Sequence, residues 1–229
     1  MKLKRVLIKS QERVLVDIAF GIEGSVALVG QSGSGKSLTL KALLGMLPSS
    51  LACEIEIEAD FELRAGKSVA LVPQNPFTAL SPLTKIKDQF FVSSERVQEL
   101  FGMLDLPFEL LERYPPELSG GQLQRIVIAM ALESEPKLLL LDEPTTALDP
   151  KTRERILQLL LKLHQELGFA MLFVTHDINS AAVICHNIVV IKNGTVVESG
   201  ITEEILRSPQ SRYTQTLIES NFKNRNFRQ

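Results

Sequence analysis

Short apolar runs, closed by glycine, proline or acidic residues, alternate along this chain with stretches of helical spacing. "KRVLI" and "VLVDIAF" predict two short strands near the start. "SVALVG" predicts a buried strand running straight into a glycine-rich loop, and "SLTLKALLGML" (residues 37–47) predicts a helix after it. "CEIEIEADFELR" (residues 53–64) alternates apolar and acidic residues with period two, the pattern of one or two half-exposed strands. "SVALVPQNP" predicts another buried strand, ended by proline. From Thr84 to about Glu135 the strand runs stop and helical spacing takes over, as in Val97, Leu100, Phe101 and Leu104. "KLLLLDEP" then predicts a buried strand, "RERILQLLLKLHQEL" (residues 153–167) a long amphipathic helix and "FAMLFVTHD" the next strand. "NIVVIKNGTVVESG" reads as a hairpin around Asn193-Gly194, a dipeptide that favours a tight type I′ turn. Helices near residues 202–207 and 211–221 close the pattern.

Strands that alternate with helices imply an α/β fold with a mostly parallel sheet. The expected organisation is one domain: a core of residues 1–83 and 136–229 carrying an N-terminal antiparallel β portion, and a helical subdomain over residues 84–135. No internal repeat or low-complexity linker interrupts it.

Composition narrows the classes. At 229 residues, 45% of them hydrophobic, the chain can bury one sizeable core with a smaller appended subdomain. A net charge of −2 and a pI near 6.0 imply no broad basic surface, so no nucleic-acid partner is expected. Cys53 and Cys185 belong to no CxxC pair and read as buried thiols, which suits a reducing compartment. The basic start "MKLKRVLIKS" lacks a long apolar run after it and reads as a first strand rather than a signal peptide. No apolar stretch approaches the roughly 18 residues of a membrane span.

"GQSGSGKS", residues 30–37, fits G-x-x-x-x-G-K-[ST] between a predicted strand and a predicted helix, the context that this motif requires. The bland alternative is a glycine-rich turn that caps a helix; strand, loop and helix in that order argue against it. Gly30, Gly33 and Gly35 let the backbone wrap closely around phosphate oxygens. The N–H groups of Gln31, Ser32, Ser34 and Leu38 belong to the same cradle, and the helix N-terminus adds positive potential. Lys36 is placed to reach the β/γ-phosphates and Ser37 to coordinate Mg²⁺. Asp142 follows four leucines at the C-terminal end of a strand, where open α/β sheets hold ligands, and can hold the water shell of Mg²⁺. Glu143, next to it, can polarise an attacking water. A second anion grip follows in "LSGGQLQR", residues 118–125, where a serine and two glycines precede a helix beginning near Gln122.

The ordered set of P-loop, Gln74 after a strand, "LSGGQ", "LLLLDEPTTALD" and His176 in "FVTHD" resembles the ATP-binding cassette family, the nucleotide-binding subunits of membrane transporters. The resemblance covers nearly the whole chain, and "LSGGQ" is its most specific element. It implies that two cassettes pair head to tail, so that Ser119, Gly120, Gly121 and Gln122 of one subunit close over ATP held in the P-loop of the other. It implies further that Gln74 contacts Mg²⁺ and the attacking water, that Glu143 is the general base, that His176 contacts the γ-phosphate, and that Asp149 sits at the dimer interface. Each residue also has a bland reading: Gln74 beside Asn75-Pro76 as part of a turn, and His176 with Asp177 as the start of a helix.

"QNPFTALSPLTKIKDQF", "SGSGKSLTLKALLGMLPS" and "RYPPELSGGQLQRIVIAMAL" resemble the peptide/nickel importer subfamily. The short segment between Gln74 and Leu118 and the lack of a cysteine after Cys185 fit its nickel-type branch. The implied unit is an ATPase at the cytoplasmic face of the membrane with ATP and Mg²⁺. It has a second cassette, two separate permease subunits, and indirectly a solute-binding protein. Uptake of oligopeptides or dipeptides is the alternative, and a soluble cassette protein a more distant one. The stretch 75–85, with Phe77 and Leu80 taken as exposed, is the expected permease contact. One departure stands out. Family members usually stack an aromatic residue of the first strand on adenine, but residues 1–19 contain none, and Ile8 or a neighbour is expected in its place.

Overall fold

The computed structural model describes residues 1–223. In chain order the elements are β1 (Lys2–Ser10), β2 (Arg13–Gly21), β3 (Ser25–Val29), α1 (Lys36–Leu43), β4 (Ala52–Glu58), β5 (Val69–Val72), α2 (Ser94–Met103) and α3 (Gly120–Leu132). They continue with β6 (Leu138–Asp142), α4 (Pro150–Leu167), β7 (Ala170–Thr175), α5 (Ile178–Ile184), β8 (Asn187–Lys192), β9 (Thr195–Ile201), α6 (Thr202–Arg207) and α7 (Arg212–Lys223). The chain divides into two compact units. One is Met1–Leu63 with the chain from Ala170 on; the other is Arg64–Phe169.

The first unit holds two sheets. In one, β1 pairs antiparallel with β2 on one side and β4 on the other. In the second, β3 lies between β7 and β8, parallel to both, and β9 runs antiparallel beside β8. Every residue of β3 is buried, as the unbroken run "SVALV" demands of a parallel strand covered on both faces. The turn between β8 and β9 has positive φ at both Asn193 (49°) and Gly194 (78°), as a type I′ turn requires. A Cβ on Gly194 would lie 2.0 Å from the Leu15 carbonyl oxygen, so only glycine lets this turn reach β2. Its N–H donates to the Ser34 carbonyl, and its own carbonyl accepts from the Asp17 N–H.

The second unit pairs β5 with β6 in parallel and is otherwise helical. Phe101 of α2 is fully buried, edge-on to Phe90 at 5.9 Å and stacked with Phe108 at 6.4 Å. Helix α3 packs on β5, α2 and α4. The starts of its helices follow from side-chain caps: Ser93 for α2, Ser119 for α3 and Asp149 for α4.

The structure corrects several expectations. The helix expected over residues 37–47 ends at Leu43, because the Gly45 N–H turns back to Ala42 and the Met46 N–H to Lys41, which closes the last turn. Residues 53–64 hold one strand that ends at Glu58, and it is almost wholly exposed rather than half-exposed. Cys53, expected to be buried, is exposed there, while Cys185 is buried and burial pushes its thiol pKa up. The helix expected over residues 153–167 begins at Pro150, whose missing N–H costs nothing in a first turn. Among the described residues, no helix is long and apolar enough to cross a membrane.

Helix α7 is fastened at its start. The Glu198 carboxylate, from β9, accepts from the N–H groups of Gln210 (2.8 Å) and Ser211 (3.0 Å). Burial opposes its charge, but the nearby Thr214 hydroxyl and then these two N–H groups together outweigh burial and hold the carboxyl below the usual glutamate range. A lowered pKa adds stability that is present above the ordinary glutamate value and lost as pH falls through the folded one. Glu198→Gln, which forfeits one charged acceptor, should lower the melting temperature at pH 7 by about 2–4 °C, from about 1 kcal/mol per hydrogen bond. The gap should close as the pH is taken below the carboxylate range. Thermal denaturation of both proteins across that range checks this, and a pH-independent gap contradicts it.

Candidate functional site

The phosphate loop hangs from the end of β3. Gly30 has no room for a side chain: its Cβ would meet the Ile191 carbonyl oxygen at 2.3 Å and the Ser34 hydroxyl at 2.8 Å. The Ser34 N–H donates to the Gln31 carbonyl at 3.2 Å, and Gly35, at φ 107°, opens α1. Lys36 is only 6% exposed. Its Nζ donates to the carbonyl oxygens of Gly30 (2.7 Å) and Gln31 (3.0 Å). Gln31, Ser32, Gly33 and Ser37 are exposed, and Leu38 is half-buried. The Ser34 hydroxyl is buried without a hydrogen-bond partner. A cradle with no room for a Cβ at Gly30 or Gly35, holding a buried ammonium and an unsatisfied hydroxyl, fits a polyphosphate group.

In the same unit, Val29 of β3 lies opposite Thr175 of β7 in parallel register. Gly30 and His176 therefore leave adjacent strands at the same end, and His176 is exposed. Asp177 caps α5, accepting from the Asn179 N–H (3.0 Å) and the Ser180 hydroxyl (2.7 Å). The helix-start reading of this segment thus holds alongside the exposed position of His176.

The second unit repeats the arrangement. Val72 of β5 lies opposite Leu141 of β6, which sends Gln74, Asp142 and Glu143 out at one end. The Gln74 amide donates to Glu143 Oε2 at 3.4 Å, and the Thr146 hydroxyl donates to the same oxygen at 3.1 Å. Glu143 has φ 45°, a left-handed conformation uncommon outside glycine. Such conformations persist where the surroundings hold them, and they cluster at active sites. Asn75 accepts from the Phe77 N–H at 3.0 Å, so the turn reading beside Gln74 also holds.

In the same unit, α3 begins at Gly120 rather than near Gln122, because Ser119 and Gln122 form a reciprocal cap. The Gln122 N–H donates to the Ser119 hydroxyl (3.3 Å), and the Ser119 N–H to Gln122 Oε1 (2.9 Å). That places Ser119, Gly120 and Gly121 on the first turn, with Ser119 and Gly120 exposed. Arg125 donates to the carbonyls of Leu104 (3.2 Å) and Asp105 (2.7 Å), tying this helix to the end of α2. Burial lowers the pKa of its guanidinium, and nearby Asp105 opposes that shift. An open groove of about 1130 Å³ runs from Ser119 and Gly121 past Arg125 to Asp149, Thr152 and Arg155. Asp149 accepts from the N–H groups of Lys151 and Thr152, both at 3.1 Å, and the Thr152 hydrogen bonds lower its pKa.

Two expectations fail here. Ile8 is fully buried in β1, in register with Val16 and Cys53, and cannot lie over a base. Arg13 and Val14 are the exposed residues of that hairpin's second strand near its tip. Leu80, expected to be exposed, is 5% exposed, whereas Phe77 is 52% exposed. Two contacts went unread in the sequence. Thr146 lies within the motif stretch but carries no signal of its own, and Tyr213, whose hydroxyl accepts from the Gln31 N–H at 3.1 Å, lies in no motif at all. Among the described residues no three His, Cys, Asp or Glu cluster to hold a metal. Of the residues expected on Mg²⁺, Ser37 belongs to the first unit and Gln74 and Asp142 to the second.

The family model for ABC transporters matches residues 16–146. The peptidoglycan transport ATP-binding protein YejF of Agrobacterium fabrum is 39% identical over 84% of this chain and 40% of its own length. The metal-staphylopine import ATP-binding protein CntD of Staphylococcus aureus is 34% identical over 86% of this chain and 82% of its own. The chain therefore spans well under half of YejF but most of CntD. The dimeric ATP-binding cassette MJ0796, solved with ADP and Pi, superposes with a TM-score of 0.70 at 32% identity, covering 88% of this chain and 98% of that one. With the phosphate loop, the carboxylate at the end of β6 and the capped signature serine in place, the chain belongs to the ABC transporter family.

Proposed function

We propose that this chain is the ATP-binding and ATP-hydrolysing subunit of an importer. It works at the cytoplasmic face of a membrane, paired with a second cassette and with separate permease subunits. The observation that carries the reading is the phosphate loop, formed with the Lys36 ammonium buried inside it on two backbone carbonyls. A triphosphate gives Lys36 charged acceptors in place of those neutral ones. Charge-assisted hydrogen bonds are roughly twice as strong as neutral ones. Mg²⁺, when bound, neutralises phosphate charge; Ser37, Asp142 and Gln74 are the residues that would hold it. Glu143 takes a proton from the attacking water, and Gln74 and Thr146, both bonded to its Oε2, orient it. His176 contacts the γ-phosphate. Ser119, Gly120 and Gly121 act across a dimer, on ATP held by the partner's loop. Their exposed first turn and the adjoining groove, with Asp149 on its wall, support that assignment.

For cargo, nickel or a related metal complex comes first, supported by likeness to CntD over most of both chains. A peptide cargo is the second reading, favoured by likeness to the putative peptide import ATP-binding protein BMEII0863 of Brucella melitensis, 38% identical over 90% of this chain and 70% of its own length. The permease is expected to dock at residues 75–85, where Phe77 is the exposed ring. A solute-binding protein would deliver the cargo to the permeases.

Glu143→Gln should cut turnover by about two to four orders of magnitude, the usual weight of a general base. ATP binding should persist, since only the basic oxygen is lost. Turnover and ATP titration of the purified variant measure both, and near-normal turnover would move the base elsewhere.

Lys36→Ala and Ser119→Arg should fail differently. Loss of Lys36 weakens ATP binding itself, whereas arginine at 119 leaves the chain's own loop intact and blocks the facing site, so hydrolysis falls while binding survives. Equal binding defects in titrations of the two variants would rule out action of the signature loop in trans.

In a strain lacking this gene, nickel uptake should fall. Wild type should restore it, while Phe77→Ala should not, although that variant keeps its ATP turnover. Normal nickel uptake with deficient dipeptide uptake would move the cargo to the second reading, and full rescue by Phe77→Ala would remove the docking site.

A further inference from the structure

The peptide unit that joins Gly30 to Gln31 is held from both ends. Its carbonyl oxygen accepts from Lys36 Nζ at 2.7 Å, and its N–H donates to the Tyr213 hydroxyl at 3.1 Å. A peptide is planar with its N–H and C=O pointing opposite ways, so Lys36 and Tyr213 grip one rigid plate from opposite sides. The tyrosine is itself fixed. Its ring lies under Lys192 Nζ, 4.9 Å from the centroid, a cation–π contact. Its N–H donates to the Ser211 hydroxyl at 3.2 Å. The start of its helix is clamped by Glu198. Lys192 precedes the turn whose Gly194 N–H donates to the Ser34 carbonyl, so the residue over the ring and the bond to the loop come from one hairpin. Further along α7, the Asn221 amide donates to the His176 carbonyl at 3.5 Å. All of these residues lie in the first unit.

We infer that Tyr213 is a positioning residue for the phosphate loop, and that α7 reads the occupancy of that loop through it. The inference rests on the nucleotide-binding function proposed above. Without nucleotide, the Lys36 cation polarises the Gly30 carbonyl. Through the same peptide this makes the Gln31 N–H a stronger donor to Tyr213, as in any chain of hydrogen bonds. When Lys36 turns to phosphate the Gly30 carbonyl loses its cation, and Tyr213 is the contact that keeps the plate from following the lysine. The loop therefore meets the phosphates already shaped, and the bond to Tyr213 changes strength as they arrive.

The chain has two tyrosines, Tyr114 and Tyr213. Incorporation of 3-fluorotyrosine therefore gives two fluorine resonances, and the one missing from Tyr213→Phe belongs to Tyr213. We expect that resonance to move on saturation with ATP. We also expect Tyr213→Phe, which keeps the ring beneath Lys192, to raise the Kd for ATP about three- to tenfold, the weight of one hydrogen bond. Turnover at saturating ATP should stay within about twofold, a split that general loosening of the fold would not produce. A Tyr213 resonance indifferent to ATP, or equal affinities in the two proteins while wild type binds ATP, overturns the inference alone. Failure of the wild type to bind ATP overturns the proposed function, and this inference with it.

Discussion

A charged ammonium that is almost wholly buried must be solvated by the protein, and that requirement shapes the first unit. Lys36 is 6% exposed and donates to the carbonyl oxygens of Gly30 and Gln31. An uncompensated buried cation would be costly enough to unfold or deprotonate the site. The loop must therefore turn its carbonyls inward, and that folding back needs a residue without a side chain at Gly30, pressed against the Ile191 carbonyl. The β8–β9 turn supports it from outside through Gly194, which itself has no space for a Cβ beside Leu15.

Parallel register does the rest of the placing. Strands β3 and β7 end together, as do β5 and β6. Each pair sends two loops out at one end: the phosphate loop with the His176 loop in one unit, and the Gln74 loop with the Asp142-Glu143 loop in the other. Chemistry-bearing residues far apart in the chain meet because strand ends meet, as with the Gln74 amide at the Glu143 carboxylate. The left-handed backbone of Glu143 belongs to the same economy: the strand must stop and turn at the residue whose carboxylate is needed.

The helix ends serve two purposes with one residue. Ser119 caps α3 and also presents a hydroxyl at the edge of a groove. Asp149 caps α4 and lines the same groove. Asp177 caps α5 directly after His176. At Ser119 and Asp149 the bland reading of a cap and the functional reading of a ligand contact do not compete, because both side chains cap their helices and still stand exposed at the groove.

Much of this was legible in the chain itself. Unbroken runs such as "SVALV" and "LLLLD" read as buried strands, and "GQSGSGKS" between strand and helix read as a phosphate loop rather than a plain capping turn. These are local rules: periodicity and turn chemistry act over a few residues, and sequence reports them directly. Helix ends were less legible, since the caps at Ser119 and Asp149 reach two or three residues into patterns that periodicity alone does not resolve. Burial at edges was misread for Cys53 and Leu80, because whether a strand or turn is covered depends on neighbours distant in the chain. Ile8 shows the same limit: its type suited an apolar contact, but it lies in the central strand of its sheet with its side chain wholly buried. Tyr213 left no trace in the sequence, for it stands 182 positions from the loop peptide that it holds. The sequence determined which residues could handle phosphate, because that chemistry is written in short motifs. Only the tertiary structure decided what braces them, because a hydrogen bond between distant segments exists once the chain has folded and nowhere before.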